Sequence, residues 1–133
     1  LIIIPPSKQA GAAGKTGSQF TGDVFAYLTM PSTDGVTINT VSFTPCARTY
    51  WHSHERGQIL IVLAGQGLIQ SDGGPVWVMR AGDTIWAPPG ERHWHGASAG
   101  SFVTHTAISL GVTSWAEPVS DDEFHATSIT RET

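Results

Sequence analysis

Trp51-His52-Ser53-His54-Glu55-Arg56-Gly57-Gln58 sets two imidazoles two residues apart and a side-chain amide four residues later. On an extended strand side chains alternate, so His52 and His54 project from one face while Ser53 and Glu55 take the other. Gly57 allows a short bend, which makes Gln58 the next donor on the histidine side in place of Glu55. A second stretch, His93-Trp94-His95, repeats the spacing, and His105 follows alone. Only His125 of the six histidines lies outside these segments, so the pattern points to one shared site.

Around them the chain reads as many short strands. Leu1 to Ile4 is an apolar tip that makes a strand only by pairing, and the Pro-, Gly- and Ser-rich residues behind it form an irregular arm. Phe20 to Met30 alternates partially and is expected to end at the breaker Pro31-Ser32-Thr33-Asp34-Gly35. Val36, Ile38, Thr40 and Ser42 then share one face of a strand, and Thr37, Asn39, Val41 and Phe43 the other, until Pro45 stops it. Gln58 to Leu63 is a buried strand, and Gly65-Gln66-Gly67 predicts a tight reversal into Leu68 to Ser71, a hairpin. Asp72-Gly73-Gly74, Ala81-Gly82-Asp83 and Pro88-Pro89-Gly90 separate Val76 to Arg80, Thr84 to Ala87 and Arg92 to His95. Phe102 to Leu110 places His105 on a face with Val103, Ala107 and Ser109, small enough to leave a pocket beside it. Only Asp121 to His125 resembles a helical turn. The fold class is therefore all-β with little helix, a sandwich or barrel that removes its edges by closing on itself. The chain divides into an N-terminal arm 1–18, one barrel domain 19–118 and a C-terminal tail 119–133.

A length of 133 residues suits one domain. Charged residues are 14% of the chain, against about 25% in an ordinary soluble domain, so part of the surface is expected to be buried in a homodimer or homotetramer. A net charge of −4 without a basic stripe excludes nucleic acid and anionic membranes as partners. The longest apolar run, Ile59 to Ala64, falls far short of the roughly 18 residues of a membrane span. Leu1 to Ile4 has no cationic lead and meets Pro5-Pro6, which does not fit a signal peptide. Cys46 is the only cysteine, so neither an intrachain disulfide nor a thiolate zinc site is expected, and a cytoplasmic location fits.

Imidazole nitrogens with an amide oxygen suit a divalent first-row metal, and three converging histidines are costly to bury for structure alone. Each histidine taken singly reads more readily as an ordinary core or surface residue. From spacing alone Gln58 remains open between ligand and polar strand residue, and His95 between cavity wall and structural role. Glu55, Asp83 and Glu91 read as turn or surface acids, and the tryptophans as core.

The run Cys46-(five residues)-His52-Ser53-His54-(three)-Gln58-(six)-Gly65 resembles the first cupin motif. Gly82-(five)-Pro88-Pro89-Gly90-(two)-His93-(three)-Ala97 resembles the second. The resemblance implies the cupin jelly-roll barrel, with three departures: Cys46 for the usual leading glycine, Ala97 for the closing asparagine and Gln58 for the glutamate ligand. It extends to the bacterial manganese-dependent hydroxynitrile lyases of cupin fold through Ala47 to His54, Gly57-Gln58, Pro89 to Ala97 and Thr104-His105. That likeness implies His52, His54, Gln58 and His93 as metal ligands, with Mn2+ as the ion and Fe2+, Zn2+ or Ni2+ as alternatives. His95, His105 and Thr49 would surround a small-molecule substrate, and Asn39, Val41 and Ser109 would face the same cavity. Four neutral donors leave the ion's double positive charge uncompensated, which favours Lewis-acid chemistry over oxygen activation. The expected activity is a lyase acting on a carbon–carbon bond next to a carbonyl, with His105 as the proton-transfer residue and His95 as second choice. The alternatives are a cupin dioxygenase, which would consume oxygen, and a non-catalytic metal or small-ligand binding module.

Overall fold

Strand after strand in the computed structural model alternates a buried residue with a more accessible one, the signature of sheets with one face turned inward. Residues 1–6 and 17–126 are described in full, and the backbone alone at Gly14–Lys15 and Thr130–Arg131. The elements are β1 (Gly14–Lys15), β2 (Phe20–Thr21), β3 (Val24–Thr33), β4 (Val36–Phe43), β5 (Arg48–Thr49), β6 (His52–His54) and β7 (Gln58–Ser71). They continue with β8 (Val76–Arg80), β9 (Thr84–Ala87), β10 (His93–Ala97), β11 (Val103–Leu110), β12 (Thr113–Trp115), α1 (Asp121–His125) and β13 (Thr130–Arg131). A front sheet runs β1-β3-β4-β11-β7-β9 and a rear sheet β2-β5-β10-β7-β8-β13, with β6 between β10 and β12. Every pairing is antiparallel except β13 with β8. The result is a nearly closed jelly-roll barrel.

The two sheets join through β7, which corrects the hairpin predicted at Gly65-Gln66-Gly67. Its fourteen residues form one strand whose first half pairs with β11 and β9 and whose second half pairs with β10 and β8. The glycines are there because the bent strand passes close to other backbone. A Cβ on Gly65, at φ 79°, would meet the Phe102 carbonyl oxygen, and one on Gly67 would lie 2.6 Å from the Gly96 oxygen. They serve close approach, not reversal.

β3 also runs past its predicted end, through Pro31 to Thr33. Proline is tolerated because β4 is its only described neighbour there, and register shifts after Leu28 and Met30 absorb the irregularity. β4 stops before Pro45 as expected, and Leu1 to Ile4 pairs with no strand. The short β12 escapes sequence reading, while α1 appears where predicted, capped by Ser120 and Glu123 in a reciprocal pair of hydrogen bonds.

Two apolar clusters fix these layers. Val24, Val41, Phe43, Leu60, Val62, Met79 and Val103 fill the barrel interior at one end. Trp51, Leu68, Val78, Trp94, Val119 and Phe124 pack α1 against the outside of the rear sheet. Arg48, nearly fully buried, ties that layer down by bonds to the Val119 and Cys46 carbonyls and a 2.7 Å ion pair with Asp121. Cys46 sits at φ 70°, the left-handed region, which explains why this position commonly takes glycine in the family it resembles. Among the described residues no helix is long and apolar enough to cross a membrane.

Gly65→Ala should destabilise the protein by on the order of 3 kcal/mol, because the methyl meets backbone that cannot yield and the positive φ adds strain. Urea unfolding checks this. A midpoint unchanged from the parent would show that the sheet crossing does not need that close approach.

Candidate metal centre

The inward faces of β6, β7, β10 and β11 meet beside the apolar filling, where the Phe43 ring lies 5.3 Å from that of His105. His52 and His54 are both buried on β6, with Ser53 between them less so, as period two requires. Pairing of His93 with His52 across β10 and β6 brings the two histidine segments together. Their rings lie 4.4 Å apart, and that of His54 is 5.0 Å from His52 and 5.7 Å from His93. Gln58 opens β7 across from Ser109 of β11 and is buried on the same side. Trp94 points outward into the α1 layer, where its indole donates to Gln70.

Each of the three imidazoles is held by Nδ1. His52 donates to the Tyr50 carbonyl at 2.8 Å and His93 to the Glu91 carbonyl at 3.0 Å, while His54 bonds the Thr113 hydroxyl at 3.0 Å. A carbonyl can only accept, so the proton of His52 and His93 sits on Nδ1 and the Nε2 lone pair faces the interior. The Gln58 amide nitrogen donates to the Ser109 hydroxyl at 3.0 Å, which turns its oxygen inward to 3.3 Å from His93 Nε2. His54 Nε2 is buried with no partner.

His95 lies closer to this group than its sequence position implies. A ring nitrogen of His95 joins those of His52 and His93 within 4.8 Å of one another, so these three could hold a divalent ion, with His54 and Gln58 bordering the same space. His95 is oriented differently from the other rings. Its Nδ1 meets His105 Nε2 at 3.2 Å, and its Nε2 is buried without a partner, as is His105 Nδ1. The Thr49 hydroxyl accepts from the His95 backbone amide at 3.2 Å.

Burial is the leading cause of every pKa shift here. It lowers His52 and His95 well below the ordinary histidine value, lowers His93, and brings His54 and His105 down to about 4. All five are therefore neutral at neutral pH, the form that can bind a metal or accept a proton.

These groups line an interior cavity of about 180 Å³, small enough to select a small molecule. Asn39, Val41 and Ser109 line it as the resemblance implied, together with Thr49, His95 and His105. Sequence reading missed Phe20, Thr113 and Trp115. Trp115 lies 4.6 Å from the His52 ring and 5.8 Å from Phe20, so the two aromatics border the cavity beside the histidines. No local signal marks them, since β12 reaches the site only through its pairing with β6. A larger groove of about 460 Å³ lies at the seam where β8 and β9 do not pair, lined by Trp77, Trp86 and His93. The unpartnered ring nitrogens belong to the smaller cavity, which makes that the candidate site.

Comparison with known proteins agrees with this geometry. Residues 39–105 match the cupin domain family. An (R)-mandelonitrile lyase from Granulicella tundricola is 46% identical over 88 residues, covering 63% of this chain and 67% of that protein. A cupin-like protein from Thermotoga maritima superposes with a TM-score of 0.85 at 34% identity, covering 89% of this chain and 95% of that one. A polyketide cyclase from Streptomyces resistomycificus shares the fold, with a TM-score of 0.70 at 17% identity over 97% of this chain and 94% of the other.

Proposed function

The chain belongs to the cupin family, and from that premise we propose that it is a metal-dependent lyase of the hydroxynitrile lyase type. It would cleave and form cyanohydrins at the cavity bounded by His52, His54, Gln58, His95 and His105, with His93 beside His52. The 46% identity to a mandelonitrile lyase supports the reaction type.

One observation carries the metal. The Gln58 oxygen faces His93 Nε2 at 3.3 Å while His93 Nδ1 faces the Glu91 carbonyl at 3.0 Å. With its proton on Nδ1 for the Glu91 carbonyl, His93 turns an Nε2 lone pair inward, and ring nitrogens of His52, His93 and His95 lie within 4.8 Å of one another. Burial lowers the His93 pKa and keeps the ring neutral, the form that binds a metal. His54 Nε2 is buried beside them with no partner, and a cation shared by these inward-facing nitrogens would supply one.

The bonding pattern also ranks the ligands. His52, His54 and His93 each have Nδ1 on a carbonyl or hydroxyl, the arrangement that orients metal-binding histidines, whereas the partner of His95 is another imidazole. We therefore assign His52, His54, Gln58 and His93 as ligands, with Mn2+ as the ion and Fe2+, Zn2+ or Ni2+ as alternatives. The ion would supply positive charge that stabilises an oxyanion developing on the substrate.

His95 and His105 remain to move the proton. His105 lies outside both metal segments and is neutral at neutral pH, so we assign it as the base, with His95 sharing the proton across their 3.2 Å bond. The base takes the cyanohydrin hydroxyl proton, the carbon–carbon bond breaks with its electron pair leaving on cyanide, and the carbonyl forms. Return of the proton to cyanide gives hydrogen cyanide and regenerates the base.

Two predictions test this. Elemental analysis of protein purified without added metal should find about one ion per chain. Most of it should be lost in His54→Ala and kept in His95→Ala; the reverse would exchange the roles of the two rings. Aromatic cyanohydrins should be cleaved without oxygen uptake, and His105→Ala should keep its metal and lose about two to four orders of magnitude in turnover. Full activity in that metal-loaded variant would remove His105 from the reaction, and oxygen consumption by the parent protein would favour a dioxygenase.

A further inference from the structure

His52, His54 and His93 are not held alike. The Nδ1 atoms of His52 and His93 meet main-chain carbonyls, which only accept, so the bond itself puts the proton on Nδ1 and leaves Nε2 free for an ion. His54 Nδ1 meets the Thr113 hydroxyl at 3.0 Å, a group that can donate or accept. If Thr113 donates, the one proton of the neutral ring sits on Nε2, a buried N–H with no acceptor. If Thr113 accepts, the proton sits on Nδ1 and Nε2 offers a lone pair to the cavity that His54 lines. Both arrangements keep the bond to Thr113, but an orphaned buried donor is the costlier remainder.

The pairing of β12 with β6 explains why a threonine stands there. It sets Thr113 opposite His54, Ser114 opposite Ser53 and Trp115 opposite His52, so period two turns Thr113 and Trp115 to the side of the two histidines. Trp115 lies against His52, with ring centroids 4.6 Å apart, and offers that ring no acceptor. None is needed, since the Tyr50 carbonyl already fixes it. The hydrogen bond that holds His54 Nδ1 comes from a side chain, so the β12 residue beside it must carry the oxygen. Threonine combines that oxygen with the β-branching that suits a strand.

We propose that Thr113 is a positioning residue that selects the metal-binding tautomer of His54, so that a strand outside both histidine segments sets how tightly the site holds its ion. The inference rests on the metal reading of the site and not on the reaction. Without the hydroxyl, an Nδ1 proton loses its acceptor, and the ring no longer prefers the form that faces the ion with a lone pair.

Thr113→Val keeps the shape of the side chain and removes the hydroxyl, while Thr113→Ser keeps the hydroxyl. Titration calorimetry of chelator-stripped protein with Mn2+ should show binding about 10- to 100-fold weaker in Thr113→Val and within about threefold of the parent in Thr113→Ser. Long-range 1H–15N NMR of the metal-free protein reads the tautomer directly. His54 should carry its proton on Nδ1 in the parent and shift toward the Nε2 form in Thr113→Val, with His52 and His93 unchanged. Unaltered affinity in a folded Thr113→Val, or a Thr113→Ser as weak as Thr113→Val, would overturn the assignment. Should Thr113→Val fail to fold, the parent spectrum decides, because a proton on His54 Nε2 there overturns it as well. A parent that binds no Mn2+ would remove the metal reading and this inference with it, whereas a parent that binds one ion regardless of Thr113 would remove this inference alone.

Discussion

Imidazoles crowded into one protein interior, with His54, His95 and His105 each leaving a ring nitrogen unpartnered, are a costly arrangement, and much of this barrel end is built to hold them there. The His93 ring is fixed from behind by the Glu91 carbonyl, and the Gln58 amide by the Ser109 hydroxyl. Each anchor fixes the plane of its side chain, and the Ser109 hydroxyl can do so by accepting from the amide nitrogen or donating to the amide oxygen. His52 and His54 are anchored likewise through Tyr50 and Thr113. Each anchor comes from a different segment, so the donor set exists only when β6, β7, β10, β11 and β12 are in register. A buried polar group without a partner costs about 1–3 kcal/mol, and that cost is shared by the whole barrel.

The strand that makes this possible is β7. It begins with Gln58 in the cluster, contributes Leu60 and Val62 to the barrel filling, crosses between sheets at its glycines and ends beside His93. A strand confined to one sheet could not border both β11 and β10. The same alternation that turns Gln58 inward turns Ile59 outward, and on β11 it sets His105 between Thr104 and Thr106. Site and outer face are therefore opposite sides of the same strands.

The legible parts of this molecule were those fixed by local period. His52 and His54 two apart, and His93 and His95 two apart, had to share faces once they were strands, and the resemblance of spacing made Gln58 the next donor. The alternation of β4 and β11 correctly put Asn39, Val41 and His105 inside. What local period cannot carry is long-range pairing. Gly65 and Gly67 offer the same positive-φ freedom whether a chain reverses or bends, and only Phe102 and Gly96, far along the sequence, decide between them. Trp115 and Thr113 reach the site through β12 beside β6, and Arg48 finds its partners about 70 residues away. The ranking of His95 depended on which atom each Nδ1 meets, which no spacing encodes.

That ranking bears on the chemistry. If every inward imidazole served as a ligand, no base would remain, and the small cavity would be a binding site alone. The 3.2 Å bond between His95 and His105 sets these two rings apart in bonding from the rest, because each limits the other's choice of tautomer. A shared proton between them can sit at His95 Nδ1 or at His105 Nε2, and either choice leaves an unprotonated nitrogen elsewhere on the pair. Burial keeps both rings neutral, and a cation beside them would oppose protonation further. On the proposed lyase reading, a base so placed would take the cyanohydrin hydroxyl proton as the carbon–carbon bond breaks, the charge appearing on cyanide balancing its own. The surroundings that make the pair a poor acceptor at rest would tie its protonation to that step.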